Sequence, residues 1–156
     1  MTVAAILKRK GSEVVTIAPN ATLAEVAAAL SARGVGLVAV LGPGGMLEGV
    51  ISERDVMRLL AQHGPAALNM SVDETMTRNV ITASPRTSVD QAMAIMTAGG
   101  FRHLPVVSNG MLLGIISIRD VVRAKVEIQE TEVECLRAYV ACDYVAVGAS
   151  PVWSRA

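Results

Sequence analysis

Aromatic side chains are nearly missing from this chain: one Phe, two Tyr and one Trp make up 3% of its 156 residues. A core must therefore be assembled from Val, Ile, Leu, Met and Ala, and the 52% hydrophobic content supplies ample material. Net charge is missing as well. Fourteen basic and fourteen acidic side chains cancel to zero. That argues against non-specific nucleic-acid binding, which depends on a positive field meeting phosphates. Cysteine is confined to Cys135 and Cys142, with no CxxC spacing and few histidines nearby, so neither a disulfide framework nor a metal site is indicated. The apolar runs are broken by Gly, Pro or charge well short of the roughly 20 residues that a membrane span needs. Lys8-Arg9-Lys10 follows an apolar start, the reverse of a secretory signal's order, and the cytosol is the expected compartment. A nucleophile–base pair and a GxxxxGK phosphate loop are also lacking, so an enzyme is not expected.

What the chain has instead is a stretch written twice. Gly45-Met-Leu-Glu-Gly-Val-Ile-Ser-Glu-Arg-Asp55 returns as Gly110-Met-Leu-Leu-Gly-Ile-Ile-Ser-Ile-Arg-Asp120, identical at eight of eleven positions. Each copy is a Gly turn, a short apolar run, Ser-x-Arg-Asp, and then a helix-like stretch opening with Val56 or Val121. The repetition extends upstream: Thr16, Pro19, Thr22, Glu25 and Gly34 fall 66 residues before Thr82, Pro85, Ser88, Gln91 and Gly100. After the hairpin the offset is 65. A repeat of this length means two similar units, each β-α-β-β-α, that pack together because either alone exposes one face of its sheet.

In chain order, Thr2 to Arg9 reads as a short amphipathic helix ended by Gly11-Ser12, and Val14 to Ile17 as a strand closed by Pro19-Asn20. Thr22 caps the next helix with Glu25 as its capping-box partner, and Gly34 ends it. Leu37 to Leu41 and Leu47 to Ile51 are strands around the Gly42-Pro-Gly-Gly45 turn, and a helix follows from about Ser52 to Gln62. Gly64 to Ser71 is a linker, and Val72 to Met76 one helical turn. The second unit follows: a strand at Val80-Ile81-Thr82, a helix from Val89 to Ala98 capped by Ser88, and a hairpin of Leu104 to Val107 with Met111 to Ile116. Asn109-Gly110 is a strong signal for its turn. The methionines, Met76, Met93, Met96 and Met111 among them, are expected to fill the core. The fold class is α+β, divided as 1–66 (first repeat with the N-terminal helix), 67–125 (linker and second repeat) and 126–156 (helical extension and a patternless, poorly ordered tail after Gly148).

The final helix, from about 118 to 141, outruns its counterpart in the first unit. Val122, Val126, Gln129, Val133, Leu136 and Val140 follow alternating four- and three-residue spacing, the seam of a helix pair. It either folds back on its own module or pairs with a second subunit. Cys135 and Cys142 share a face of this helix.

The Ser-x-x-Asp stretches are the candidate chemistry. Ser52 and Ser117 stand at helix starts, where free backbone N–H groups and the positive end of the dipole favour a phosphate. Asp55 and Asp120, one turn in, can accept hydrogen bonds from paired sugar hydroxyls. The same pattern is also close to a capping box, and both uses are open.

The duplicated units resemble a tandem pair of CBS domains, the module named after cystathionine β-synthase. The residues that carry the resemblance are the Thr16 and Thr82 segments, Phe101-Arg-His-Leu-Pro-Val-Val107 and the two Gly-x-Ile-Ser-x-Arg-Asp stretches, over roughly residues 1 to 125. The resemblance implies a pseudo-two-fold pair that stands alone, without an attached catalytic domain, and that binds an adenine nucleotide such as AMP, ADP or ATP between its repeats. It implies Thr16 and Thr82 beside the base, Asp55 and Asp120 at the ribose, Arg102 at phosphate, and His103 either donating to phosphate or stacking on the base. Val38, Leu104 and Pro105, on the matching strand segments, complete the candidates together with Ser52, Ser117 and Arg119. Arg54 and Arg119 are expected on the exposed side of the turn.

The first repeat has Val35-Gly36-Leu37 where the second has Phe101-Arg102-His103. In the family that the chain resembles, a cleft can draw its base and ribose residues from one repeat and its Arg or His from the other. The resemblance therefore implies unequal clefts, with Arg102 and His103 serving the one around Asp55 and only Gly36 and Leu37 left for the one around Asp120. The weaker cleft is expected to take a less charged ligand, such as adenosine or S-adenosylmethionine, or to stay empty. A sensor of S-adenosylmethionine or an NAD-type adenosyl ligand is the alternative to a nucleotide sensor. The expected partners are a second copy of the chain and an unidentified target protein. A ligand-independent dimeric scaffold is the competing function, and RNA binding a third.

Overall fold

The computed structural model describes the backbone of residues 1–147 and the side chains of residues 1–140. The expected tail from Gly148 to Ala156 and the side chain of Cys142 lie outside the described residues.

Local signals set most element boundaries. Helix α1 (Val3–Lys10) is followed by strand β1 (Thr16–Ile17), helix α2 (Leu23–Arg33), strands β2 (Leu37–Leu41) and β3 (Leu47–Ser52) and helix α3 (Glu53–His63). A 3₁₀ stretch, Gly64–Asn69, occupies the expected linker and leads to the one-turn helix α4 (Val72–Thr75). Helix α5 (Val89–Gly99), strands β4 (His103–Ser108) and β5 (Met111–Ser117) and helix α6 (Ile118–Val147) complete the chain. Thr22, Ser52, Ser71 and Ser88 each close a reciprocal capping box, with Glu25, Asp55, Glu74 and Gln91 respectively. Each box satisfies N–H groups that a helix start leaves without partners. Helices α2 and α5 both end in a left-handed glycine, Gly34 and Gly100. Asn109 and Gly110 both take positive φ, 51° and 79°, as a two-residue turn between antiparallel strands requires.

The two units differ at their first strand. In the first, β1 runs parallel to β2, with Thr16 opposite Ala39 and Ile17 opposite Val40, and β3 completes a three-stranded sheet. In the second, the strand expected at Val80-Ile81-Thr82 is not formed, and only Ala83 bridges to Val106 beside the β4–β5 pair. Proline explains the loss. The Ala39 N–H donates to the Val15 carbonyl at 3.0 Å, but the position equivalent to Ala39 is Pro105, which has no N–H to give. What remains is the Ala83 N–H to the Pro105 carbonyl and the Val107 N–H to the Ala83 carbonyl, both 2.8 Å.

Each unit has its own apolar core, and each core is finished by a segment that precedes the other unit. Val3 and Ile6 of α1 join Val89, Ala92, Met96, Leu104, Val106 and Ile116 in the second core. Thus α1, grouped with residues 1–66 by chain order, packs on the second repeat. Val72 of α4 joins Leu23, Val26, Val38, Val40 and Ile51 in the first. The docking bonds match: Val3 N–H to the Thr87 carbonyl at 2.9 Å and Val72 N–H to the Ala21 carbonyl at 2.8 Å. This reciprocal exchange holds the units as a pseudo-two-fold pair. Met76 and Met96 are core as expected, but Met111 is not: it is exposed and bridges to Met46 of the other unit. Helix α6 is longer than the sequence suggests. Val121, Ala124 and Ile128 anchor its first turns, whereas residues 129–140 are all exposed.

Candidate functional site

Among the described residues, two cavities open between the repeats, and the duplicated stretch supplies one wall of each. The first, about 360 Å³, is bounded by Val50, Ser52, Glu53, Arg54 and Asp55 at the β3–α3 junction. Across from them stand Gly100, Phe101, Arg102, His103 and Pro105 of the second repeat. Its third wall is the segment entering that repeat, Thr77, Asn79, Val80 and Ile81. Thr77 is fixed there by paired backbone hydrogen bonds with Val50, 2.9 and 3.1 Å.

The second cavity, about 470 Å³, is the pseudo-symmetric counterpart, with Ser117, Ile118, Arg119 and Asp120 facing Gly34, Val35, Gly36 and Leu37. Its third wall is Lys10, Glu13, Val14 and Val15, the segment that enters the first repeat. Both volumes lie in the range of small-molecule sites, roughly 300–1,000 Å³.

Both aspartates are already engaged. The Asp55 Oδ2 accepts from the Ser52 N–H at 2.9 Å and the Ser52 hydroxyl at 2.6 Å, and its Oδ1 accepts from Arg58 at 2.9 Å. The Asp120 Oδ2 accepts from the Ser117 N–H and the Lys10 ammonium, both at 2.7 Å, and from the Ser117 hydroxyl at 2.8 Å. Burial pushes the Asp120 carboxyl upward, but the Lys10 ammonium and the Ser117 donors outweigh it and hold the group below its ordinary value. The helix starts are partly occupied too. The Glu53 N–H donates to the Gly36 carbonyl at 3.1 Å and the Ile118 N–H to the Arg102 carbonyl at 2.8 Å. Asp55 and Asp120 N–H bond back to the serine hydroxyls. Among the described residues, this leaves the Arg54 and Arg119 N–H groups to receive an acceptor from outside. Capping is what the motif does in this structure, and the capped ends face the cavities.

Gly36, Leu37, Glu53, Arg102 and His103 border both cavities. The imidazole of His103 lies directly against Gly36: a Cβ built on that glycine would stand 2.7 Å from Cε1 and 3.2 Å from Nε2. Burial lowers the His103 pKa first, and the charges of Arg102 and Lys10 lower it further against the opposing pull of Glu53 and Asp120. Its neutral form therefore dominates at pH 7.

The structure brings Ser52, Asp55, Arg102, His103 and Pro105 together at one cavity, and Ser117, Arg119, Asp120, Arg102 and His103 at the other. The expected split is corrected. Arg102 and His103 are not reserved for the cleft around Asp55, because the strand start that carries them lies on the boundary between the two. Val38 and Leu104 are fully buried core residues, so their side chains face neither cavity. Thr16 and Thr82 are exposed and stand next to the lining positions, which are Val14, Val15, Val80 and Ile81. Arg54 and Arg119 are exposed as expected, yet both line a cavity, and Arg54 reaches across to the Gly100 carbonyl at 3.2 Å. The reading from sequence missed Lys10, Glu13, Glu53, Thr77 and Asn79. The 66-residue offset carried the signal for two of these, since Glu13 aligns with Asn79 one residue ahead of paired apolar positions.

Among the described residues no cluster of His, Cys, Asp and Glu is placed to hold a metal, and no helix is long and apolar enough to cross a membrane. The family model for the CBS domain matches twice, over residues 3–62 and 72–127. A solved CBS-domain containing protein from Agrobacterium tumefaciens is 44% identical and superposes with a TM-score of 0.77, over 80% of this chain and 99% of that one. A mitochondrial CBS domain-containing protein of Arabidopsis thaliana is 32% identical over 151 residues, 92% of this chain and 73% of that one. A solved CBS domain pair in complex with 5′-methylthioadenosine and S-adenosyl-L-methionine is 28% identical, with a TM-score of 0.71 over 80% of this chain and 94% of that one. With both repeats matched and the solved folds superposing across the pair, the chain belongs to the CBS-domain family.

Proposed function

We propose that the chain is a non-catalytic regulatory module that binds an adenine nucleotide, AMP, ADP or ATP, between its repeats and passes its occupancy to a target protein. The observation that carries this reading is the pair of cavities, each walled by a Ser-x-x-Asp helix start and both sharing Arg102 and His103. In this reading Asp55 or Asp120 exchanges Arg58 or Lys10 for ribose hydroxyls, while Arg102, whose planar fork suits phosphate, takes the anionic end. Pro105 and the apolar pairs Val80–Ile81 and Val14–Val15 form the flat walls for the base. The module acts as a homodimer in the cytosol, where a free, exposed thiol such as Cys135 is ordinary.

A second reading has a specific observation behind it. Arg54 and Arg102 are balanced by Glu53 and Asp55 at the first cavity, so charge does not favour a polyanion there. An adenosyl ligand without phosphate, such as S-adenosylmethionine, suits that balance, and a relative's complex with such ligands supports it. A thermal-shift panel of AMP, ADP, ATP, NAD, S-adenosylmethionine and 5′-methylthioadenosine separates the readings. At about 100 times Kd a ligand adds roughly 2.7 kcal/mol to stability. Stabilisation by nucleotides that is lost in Arg102→Ala supports the first reading, and stabilisation by phosphate-free compounds alone supports the second. No shift with any compound at millimolar concentration rejects both and leaves the ligand-independent scaffold.

A further inference from the structure

Helix α6 carries two different faces, and among the described residues only one of them is used by its own chain. Val121, Ala124 and Ile128 pack on the second core. Val122, Val126, Val133, Leu136 and Val140, between 44% and 65% exposed, form a separate stripe. At 3.6 residues per turn the stripe is centred roughly 130° around the helix from the packed face. Beyond the body, Val133, Leu136 and Val140 continue that stripe, while Cys135 and Tyr139 continue the line of the packed face. The spacing four, three, four, three, four from Val122 to Val140, with Gln129 in the third place, is that of a two-helix seam.

We propose that α6 pairs, parallel and in register, with α6 of a second copy of this chain. Charge supports a second copy paired in the parallel direction. In a parallel in-register pair the residue before one seam position faces the residue five further on in the other helix. That rule sets Glu132 against Arg137 of the second copy, and Arg137 against its Glu132, so both contacts are attractive. Both side chains are exposed and free of ion pairs within the chain among the described residues. The same rule sets Lys125 against Glu130, although Lys125 is also held by Asp90 at 2.6 Å. Sterics agree. A two-fold axis along the seam throws the two bodies to opposite sides, because each body sits on a face turned well away from the stripe. Gln129 meets its own copy within the seam, where paired amides bond only in register. This pairing rests on the homodimer part of the proposed function and not on its ligand part.

The test uses the full chain with Cys135→Ser and Cys142→Ser, into which Val122→Cys or Leu136→Cys is introduced separately. These positions are equivalent in the seven-residue repeat and about 21 Å apart along the helix. A parallel in-register pair gives a disulfide-linked dimer from each variant on mild oxidation. An antiparallel pair can link a residue to itself at only one place, so a single linked variant overturns the proposal. A dimeric mass by light scattering with neither variant linked overturns this pairing while leaving a homodimer through another face. A monomeric mass overturns both. Independently, Glu132→Arg or Arg137→Glu weakens the dimer by about tenfold, and the two together restore it. A double variant no tighter than the singles refutes the charge argument. The ligand panel is unaffected by any of these outcomes.

Discussion

Gly36→Ala isolates the contact on which both cavities meet. Gly36 is a glycine for want of room and not for backbone conformation, since it is absent from the positive-φ positions. A methyl there would lie 2.7 Å from the His103 ring, where an ordinary contact needs about 3.5 Å or more, so the imidazole must give way by about 0.8 Å. Overpacking a tight site costs about 1–3 kcal/mol. Here the neighbour is the end of a half-buried side chain with a cavity on either side, which places the cost near 1 kcal/mol. Against it stands a gain of about 0.4–1 kcal/mol, because alanine restricts the unfolded chain more than glycine. The net loss for Gly36→Ala alone is thus small, about 0–0.6 kcal/mol.

The informative quantity is the coupling. In a His103→Ala background the ring is gone, the clash vanishes, and Gly36→Ala should be neutral or stabilising. Urea denaturation of the four proteins, followed by far-UV circular dichroism, closes the cycle, and a coupling energy of about 1 kcal/mol is expected. Gly49→Ala serves as contrast. A methyl there meets Met76 Sδ at 2.5 Å and the Thr77 backbone carbonyl at 3.0 Å, and because backbone gives way less easily the loss should reach about 2–3 kcal/mol. If Gly36→Ala is as costly without His103 as with it, the contact between the cavities is not what constrains that glycine.

Lys10→Met removes the ammonium from Asp120 and keeps the stem. Because both side chains retain solvent contact, the loss at neutral pH should be about 0.5–1 kcal/mol. The Asp120 carboxyl is held below its ordinary value, so the stabilisation is complete above the unfolded carboxylate value of about 3.9 and disappears as pH falls through the lower folded one. Unfolding midpoints measured from pH 7 down should therefore converge for the two proteins below pH ~4, and a gap that persists there would sink the assignment. Pro105→Ala returns an N–H to the place where Ala39 bonds to Val15. A hydrogen bond worth about 0.5–1.5 kcal/mol then offsets the lost rigidity of proline, stability changes little, and the new amide at position 105 is protected from hydrogen exchange. An unprotected amide refutes the account of the missing strand. For the proposed nucleotide site, the lowered pKa of His103 means that an arriving phosphate draws a proton onto the ring. The groups that face it are Arg102, Lys10, Glu53 and Asp120. Affinity for AMP should rise as pH is lowered from 8 to 6, and the slope should flatten in His103→Gln; equal slopes in the two proteins count against the ring's role.

What was legible in the sequence was local. The capping pairs Thr22–Glu25 and Ser88–Gln91 and the Asn109-Gly110 turn are complete within four residues, so each fixes its element without help from the rest of the chain. The offset repeat then made the pair of units legible as a whole. Contacts between distant segments were not. The fate of Val80-Ile81-Thr82 was settled by a proline on the neighbouring strand, and the partner of Asp120 was Lys10, 110 residues away. Val38 was assigned to the site although Leu37-Val-Ala-Val-Leu41 is a continuous apolar run, the pattern of a strand buried on both faces. That signal was present and argued for core.

The two copies of Gly-x-Ile-Ser-x-Arg-Asp are alike in sequence and in their capped geometry, so the difference between the cavities comes from outside the motif. At the first cavity the aspartate is held by Arg58 of its own helix, and its entering segment offers Thr77 and Asn79. At the second the aspartate is held by Lys10, and the entering segment offers Lys10 and Glu13. Lys10 belongs to α1, whose preceding residue, Arg9, is ion-paired with Glu127 of α6. A group that takes Asp120 from Lys10 therefore acts on the same helical turn that helps to hold α6, whereas a group that takes Asp55 from Arg58 disturbs a contact within a single helix. Among the described residues, only the second of the two cavities is joined by adjacent ion pairs to the helix that overhangs the body. Sequence identity between the copies conceals this asymmetry, because it is created by which neighbouring segment each copy meets.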